Sequence, residues 1–263
     1  MRDGGLDGFT PTLGQGIVLW GLFLAATSAA GMFGGALARS WTGSPVAVTL
    51  SVALPAAGPA FVLWVGKRLT GRTWSDVLPV RRPSAPAALL VVVASTGLLL
   101  AELGLLVLLA EHLPGAGRDG PGTLGAASVI RTVLVAPAVE EAFFRGLLLG
   151  GFLLAYRRWT AILLSAGLFA AIHTFPVQPV TALATGVLLS WVMAGSRNLA
   201  LPLLGHVVVN AVALAFVAFP ALSSLLLGNA VPCGILGVLL LSVGTALLRR
   251  ALGPATRPAT APP

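Results

Sequence analysis

Long apolar stretches, separated by short clusters of charge, proline and glycine, set the pattern of this chain. Blocks at about 14–37, 45–66, 86–110, 125–155, 160–175, 178–195, 201–219 and 223–248 read as eight candidate membrane spans, the fifth to seventh being short. At about 1.5 Å of rise per residue, a helix of about 20 residues crosses a hydrocarbon layer about 30 Å thick. A membrane β-barrel would need polar and apolar residues alternating in strands of about ten, and these blocks do not alternate. The pattern predicts an all-α, polytopic transmembrane helix bundle forming a single integral membrane domain over residues 1–250. Residues 251–263, rich in Pro, Ala and Thr, offer almost nothing to bury and read as a disordered cytoplasmic tail.

Composition sharpens this picture. Hydrophobic residues make up 57% of the 263, charged residues only 9%, and the mean hydropathy is +0.95. A soluble domain carries about 25% charged residues, so a water-soluble globule is excluded. The net charge of +8 does not point to nucleic acid, because cations in such a chain cluster in short cytoplasmic loops and fix orientation. Lys67, Arg68, Arg72, Arg81, Arg82, Arg157, Arg158, Arg197, Arg249 and Arg250 all fall on one side of the eight blocks, joined by Arg2 and Arg257, whereas Arg39 and Arg118 fall opposite. Both termini are therefore expected in the cytoplasm. Thr73 to Arg82 reads as an interfacial segment, with Trp74 at headgroup level. Met1 to Phe9 lacks a basic signal-peptide head, so the first block is expected to be a retained span. Cys233 is the only cysteine, which rules out an intrachain disulfide. Arginine outnumbers lysine fifteen to one, which points to a GC-rich prokaryotic genome and hence a bacterial inner membrane.

Within the apolar blocks the ionisable residues are few: Glu102, Arg131, Glu140, Glu141, Arg145, His173 and His206, with Asn210 as a polar companion. A charge at a helix centre costs about 2.5–3.5 kcal/mol on insertion scales, so such residues pair, line water or carry chemistry. Glu141 and Arg145 stand four apart, on one helix face and within ion-pairing reach. Glu140 points about 100° away and is left for proton transfer. Phe169 and His173, and likewise His206 and Asn210, also stand four apart. Counted from the cytoplasmic arginines, Glu140, His173 and Asn210 lie roughly 26, 23 and 20 Å deep. Three helices thus bring polar groups to one layer, with His206 a turn nearer the cytoplasm.

Hydrolysis is one chemistry for such a layer. Glu140 would accept a proton from water, His173 would hold that water, and His206 with Asn210 would donate to an oxyanion. A second version places zinc between His173, His206 and Glu140. No H-E-x-x-H is present, so local spacing does not imply the metal.

Glu140-Glu141-Ala142-Phe143-Phe144-Arg145, Phe169 to His173 and His206 to Asn210, in that order, match the motifs E-E-x-x-x-R, F-x-x-x-H and H-x-x-x-N. In this the chain resembles the CPBP family, the CAAX proteases and bacteriocin-processing enzymes also called Abi proteins, over about residues 125–215. The resemblance implies an intramembrane endopeptidase of eight helices around a conical intramembrane cavity, acting on a membrane-associated peptide or protein within the lipid bilayer. Glu140 would activate water, His173, His206 and Asn210 would complete the site, and Glu141, Arg145 and Phe169 would support it. Two other classes stay open. One is a binding or bacteriocin-immunity protein that uses the same polar cavity without turnover. The other is a transporter with an intramembrane proton relay, although no repeat halves with paired broken helices are visible.

Overall fold

The computed structural model describes residues 12–40, 44–109, 125–173 and 178–253. Every regular element among them is helical: α1 (Leu13–Ser40), α2 (Pro45–Thr70), α3 (Trp74–Val77), α4 (Ala85–Leu109), α5 (126–155), α6 (Arg158–Ala170), α7 (Gln178–Ser196), α8 (Ala200–Ala218), α9 (Pro220–Gly228) and α10 (Ala230–Leu252). The all-α membrane bundle expected from the apolar blocks is what the chain forms.

The eight candidate spans differ in detail from the helices that form. Among the described residues six helices are long and apolar enough to cross a membrane: α1, α2, α4, α7, α8 and α10. The fifth block stops at Ala170, and its 13 residues rise only about 20 Å. The eighth block divides at Asn229, which leaves the helical region at φ −123°, ψ 30°. The fourth block, α5, is continuous but not regular: two π-helical stretches, Arg131–Val135 and Ala142–Leu149, interrupt its α-helical turns. Of the expected tail, 251–252 complete α10, and 254–263 lie outside the described residues together with Arg2, Arg118 and Arg257.

The first wide stretch has a local cause. Pro137 has no N–H to give and its ring crowds the carbonyl four residues back, at Val133, so the turn before it widens. The second stretch frees carbonyls that side chains from elsewhere then satisfy. Arg72 Nη1 donates to the carbonyls of Gly146 and Leu147, each at 3.2 Å, and Ser165 Oγ donates to that of Phe144 at 2.9 Å. Arg72 also donates to the Asp76 carbonyl at 2.5 Å. Burial lowers the Arg72 pKa, Asp76 opposes that shift, and Arg197 adds to it.

The interfacial segment forms the short helix α3, closed by a capping box in which Thr73 and Asp76 bond each other's backbone N–H. The Thr73 side chain, then its backbone N–H, lowers the Asp76 pKa. Trp74 is exposed and Val77 fully buried. The Val77 carbonyl occupies the space a Cβ at Gly146 would take. Gly146→Ala is therefore expected to push α3 off α5 and to destabilise the protein by about 1–3 kcal/mol. Thermal unfolding in detergent checks this, and an unchanged midpoint would contradict the contact.

Packing rests on small residues and on aromatic rings. Gly97 and Gly104 of α4 face Gly237 and Gly234 of α10 so closely that any side chain would strike backbone, the small-residue contact by which membrane helices associate. Phe23 of α1 stacks on Phe143 at 4.2 Å between centroids and meets Phe144 edge-on at 5.5 Å, and Phe144 meets Phe169 at 5.3 Å. Trp20 Nε1 donates to the Leu168 carbonyl at 2.8 Å. This aromatic chain ties α1 to α5 and α6 and leads directly to the polar residues. Arg72 and Arg197, Arg197 and Arg158, and Arg158 and Arg249 each sit close enough to repel, so these four of the cations grouped by the loop pattern lie at one end of the bundle.

Candidate active site

The carboxylates of Glu140 and Glu141 lie between the two π-helical stretches of α5. Glu141 and Arg145 are both fully buried and joined at 2.9 Å between Glu141 Oε1 and Arg145 Nη1. Arg145 Nη2 donates to the Gly186 carbonyl of α7 at 3.4 Å, and the guanidinium carbon stands 4.4 Å from the Phe169 ring centre. The arginine is thus paired, bonded to backbone and stacked on a ring, the surroundings a guanidinium needs in an apolar medium.

His206 reaches across from α8 and stands between the two carboxylates. Its Nδ1 is 2.8 Å from Glu141 Oε1 and its Nε2 is 3.7 Å from Glu140 Oε2. Glu141 Oε1 already accepts from Arg145, and with an N–H on Nδ1 the imidazole donates to the same oxygen and turns Nε2 toward Glu140. His173 repeats this arrangement at the end of α6. Its Nδ1 lies 3.0 Å from the Phe169 carbonyl, an acceptor only, so the proton is again on Nδ1 and Nε2 is free to accept. Phe169 is the hub: its ring lies 4.9 Å from that of His173 and 5.6 Å from that of His206, the latter edge-on at 87°.

Asn210, one turn beyond His206 on α8, donates from Nδ2 to the Thr132 carbonyl at 2.8 Å. Thr132 lies in the first π-helical stretch, so Asn210 fills a backbone vacancy of α5 and keeps one amide hydrogen free. Glu140, His173, His206 and Asn210 all line one cavity of about 570 Å³, bounded by α1, α2, α5 and α8, with Arg131 and Thr132 on its wall. Glu140 keeps 21% of its side chain accessible, against none for Glu141. The adjacent carboxylates therefore differ in surroundings, one locked to a cation and one facing the cavity.

A family model described as Type II CAAX prenyl endopeptidase Rce1-like matches residues 122–212. That segment is similar to this family. It spans α5, α6, α7 and most of α8 and contains all three motifs, in agreement with the CPBP resemblance drawn from them. No curated protein and no solved structure matches the chain. With six helices among the described residues long and apolar enough to cross a bilayer, this is an integral membrane protein, and its residues 122–212 are similar to a CAAX prenyl endopeptidase family.

Residues outside the three motifs also hold these side chains in place. Thr132 and Gly186 accept from Asn210 and Arg145 through backbone carbonyls, which side-chain patterns do not reveal. The contact from His206 to Glu141 joins different helices, and i, i+4 spacing reports only pairs within one. Pro137, three residues before Glu140, was the one sequence signal of an irregular backbone here. The zinc alternative does not fit: among the described residues no three His, Cys, Asp or Glu side chains gather closely enough to hold a metal ion. Glu140 and His206 approach at 3.7 Å, but a zinc site needs at least three protein ligands.

Proposed function

We propose that this protein is an intramembrane endopeptidase, CAAX-protease-like, that hydrolyses a peptide bond of a membrane-associated protein or peptide with water activated by Glu140. The observation that carries the reading is His206, held by buried Glu141 on one nitrogen and facing Glu140 with the other, on the wall of a cavity within the bundle. The Rce1-like match supports peptidase activity in general.

A water in this cavity gives one hydrogen bond to Glu140 and one to His173 Nε2, which aims its lone pair at a substrate carbonyl. As oxygen attacks carbon, the water proton passes to Glu140 and the carbonyl pair moves onto oxygen. The free amide hydrogen of Asn210 stabilises that oxyanion. His206 Nε2 can take the proton from Glu140, with Glu141 stabilising the imidazolium, and then donates toward the oxyanion or the departing nitrogen. Collapse breaks the C–N bond and the amine leaves with that proton; the second proton of the consumed water then passes from the new carboxylic acid to the amine, giving a carboxylate and an ammonium. Glu141, Arg145 and Phe169 position the imidazoles without touching substrate.

The reading places residues 1–250 in one membrane domain of a bacterial inner membrane with both termini in the cytoplasm, from the shared end of the arginines. A reporter active only outside the cytoplasm, fused after Pro263, should stay silent, and activity there would reverse the orientation. The function itself is tested by incubating the protein in lipid nanodiscs with membrane-anchored peptides and reading new termini by mass spectrometry. Discrete cleavage is expected. Peptides bound but left intact would favour a binding or immunity role.

A further inference from the structure

His173, His206 and Asn210 do not end at the first cavity. They also line a second one, of about 470 Å³, on the far side, between α4, α7 and α8. Its wall holds Glu102 of α4, a carboxylic acid in the middle of an apolar helix, with Leu99, Leu103 and Leu106 beside it. Glu102 Oε1 is buried and has no hydrogen-bond partner among the described residues. No lysine or arginine lines this cavity. His173 Nδ1 bonds Phe169, His206 Nδ1 bonds Glu141 and Asn210 Nδ2 gives one hydrogen to Thr132, while the other polar side chains on the wall, Gln178, Thr181 and Thr185, carry no charge. The first cavity, in contrast, holds Arg131 alongside Glu140.

A buried carboxyl oxygen with no partner is costly, and more so in a bilayer. It becomes favourable when a ligand brings the missing donor, and a cation brings a counter-charge as well. The leucine wall suits the methylenes of a long basic side chain whose head reaches Glu102. We infer that the Glu102 cavity is a substrate subsite for a lysine or arginine side chain close to the cleaved bond. This rests on the peptidase reading above, since it is adjacency to His173, His206 and Asn210 that makes the cavity part of a substrate path. The entering cation meets a resident carboxyl group, so the subsite selects a residue that an apolar cavity would exclude.

The test compares two membrane-anchored peptides, identical except for lysine or its neutral isostere norleucine at one position, scanned through the residues flanking the cleaved bond. Wild type in nanodiscs should favour lysine at one position by about tenfold or more in kcat/KM, and Glu102→Gln should bring that ratio close to one. Binding of the same peptides to Glu140→Gln protein, with and without Glu102→Gln, supplies a readout free of turnover. If no peptide is cleaved but the lysine preference in binding depends on Glu102, the subsite stands and the peptidase reading falls. Wild type indifferent to lysine at every position, in cleavage and in binding, overturns the inference. So does a preference that survives Glu102→Gln.

Discussion

Glu140→Gln is expected to lower turnover of a membrane-anchored peptide by about 10²- to 10⁴-fold, the range for losing a general base. The amide keeps the size of the side chain but cannot take a proton from water. Because Glu140 faces the cavity and makes no ion pair with Arg145, the variant should fold and insert as wild type does. Asn210→Ala removes an oxyanion donor and is expected to cost about 10²- to 10³-fold in kcat. It also uncovers the Thr132 carbonyl, so its unfolding midpoint should fall where that of Glu140→Gln does not. Rates per folded molecule, with wild type and both variants purified alike, check this ordering.

Glu141→Gln is expected to harm the fold far more than Glu140→Gln. Glu141 Oε1 receives both Arg145 Nη1 and His206 Nδ1, and all three side chains are buried. Removing the carboxylate charge leaves the Arg145 guanidinium uncompensated inside the bundle. Breaking one partner of a buried pair costs about 3–5 kcal/mol. The same change loosens the imidazole, so activity should fall along with stability. Denaturant or thermal unfolding in detergent distinguishes the two glutamates, and equal midpoints for both variants would refute the division between a locked and a free carboxylate.

How much of this was legible in the sequence follows from which interactions are local. The apolar blocks gave the helices to within a few residues because hydropathy and length are properties of contiguous chain. Glu141 and Arg145 were legible as a pair because both ride one helix four residues apart, and the depth count brought Glu140, His173 and Asn210 to one level. What the pattern concealed is set by tertiary contact or backbone geometry. The widened turns of α5 depend on Arg72, Ser165 and Asn210 arriving from elsewhere to bond the freed carbonyls. The break at Asn229 and the early end of α6 at Ala170 lie inside blocks that average as apolar, where a single Gly-Asn pair or a histidine does not lower the mean enough to mark a helix end. Glu102 stood out as a charge in the wrong place, but only the fold shows that it borders His173 and His206.

The central claim is that Glu140 activates the water that cleaves a peptide bond at this site. Its most direct measurement is single-turnover cleavage of a membrane-anchored peptide, with wild type and Glu140→Gln each in excess in nanodiscs and peptide binding measured on the same samples. The predicted result is matched binding with cleavage at least about 10²-fold slower in the variant. Wild-type cleavage rates from Glu140→Gln, with binding unchanged, would contradict the account.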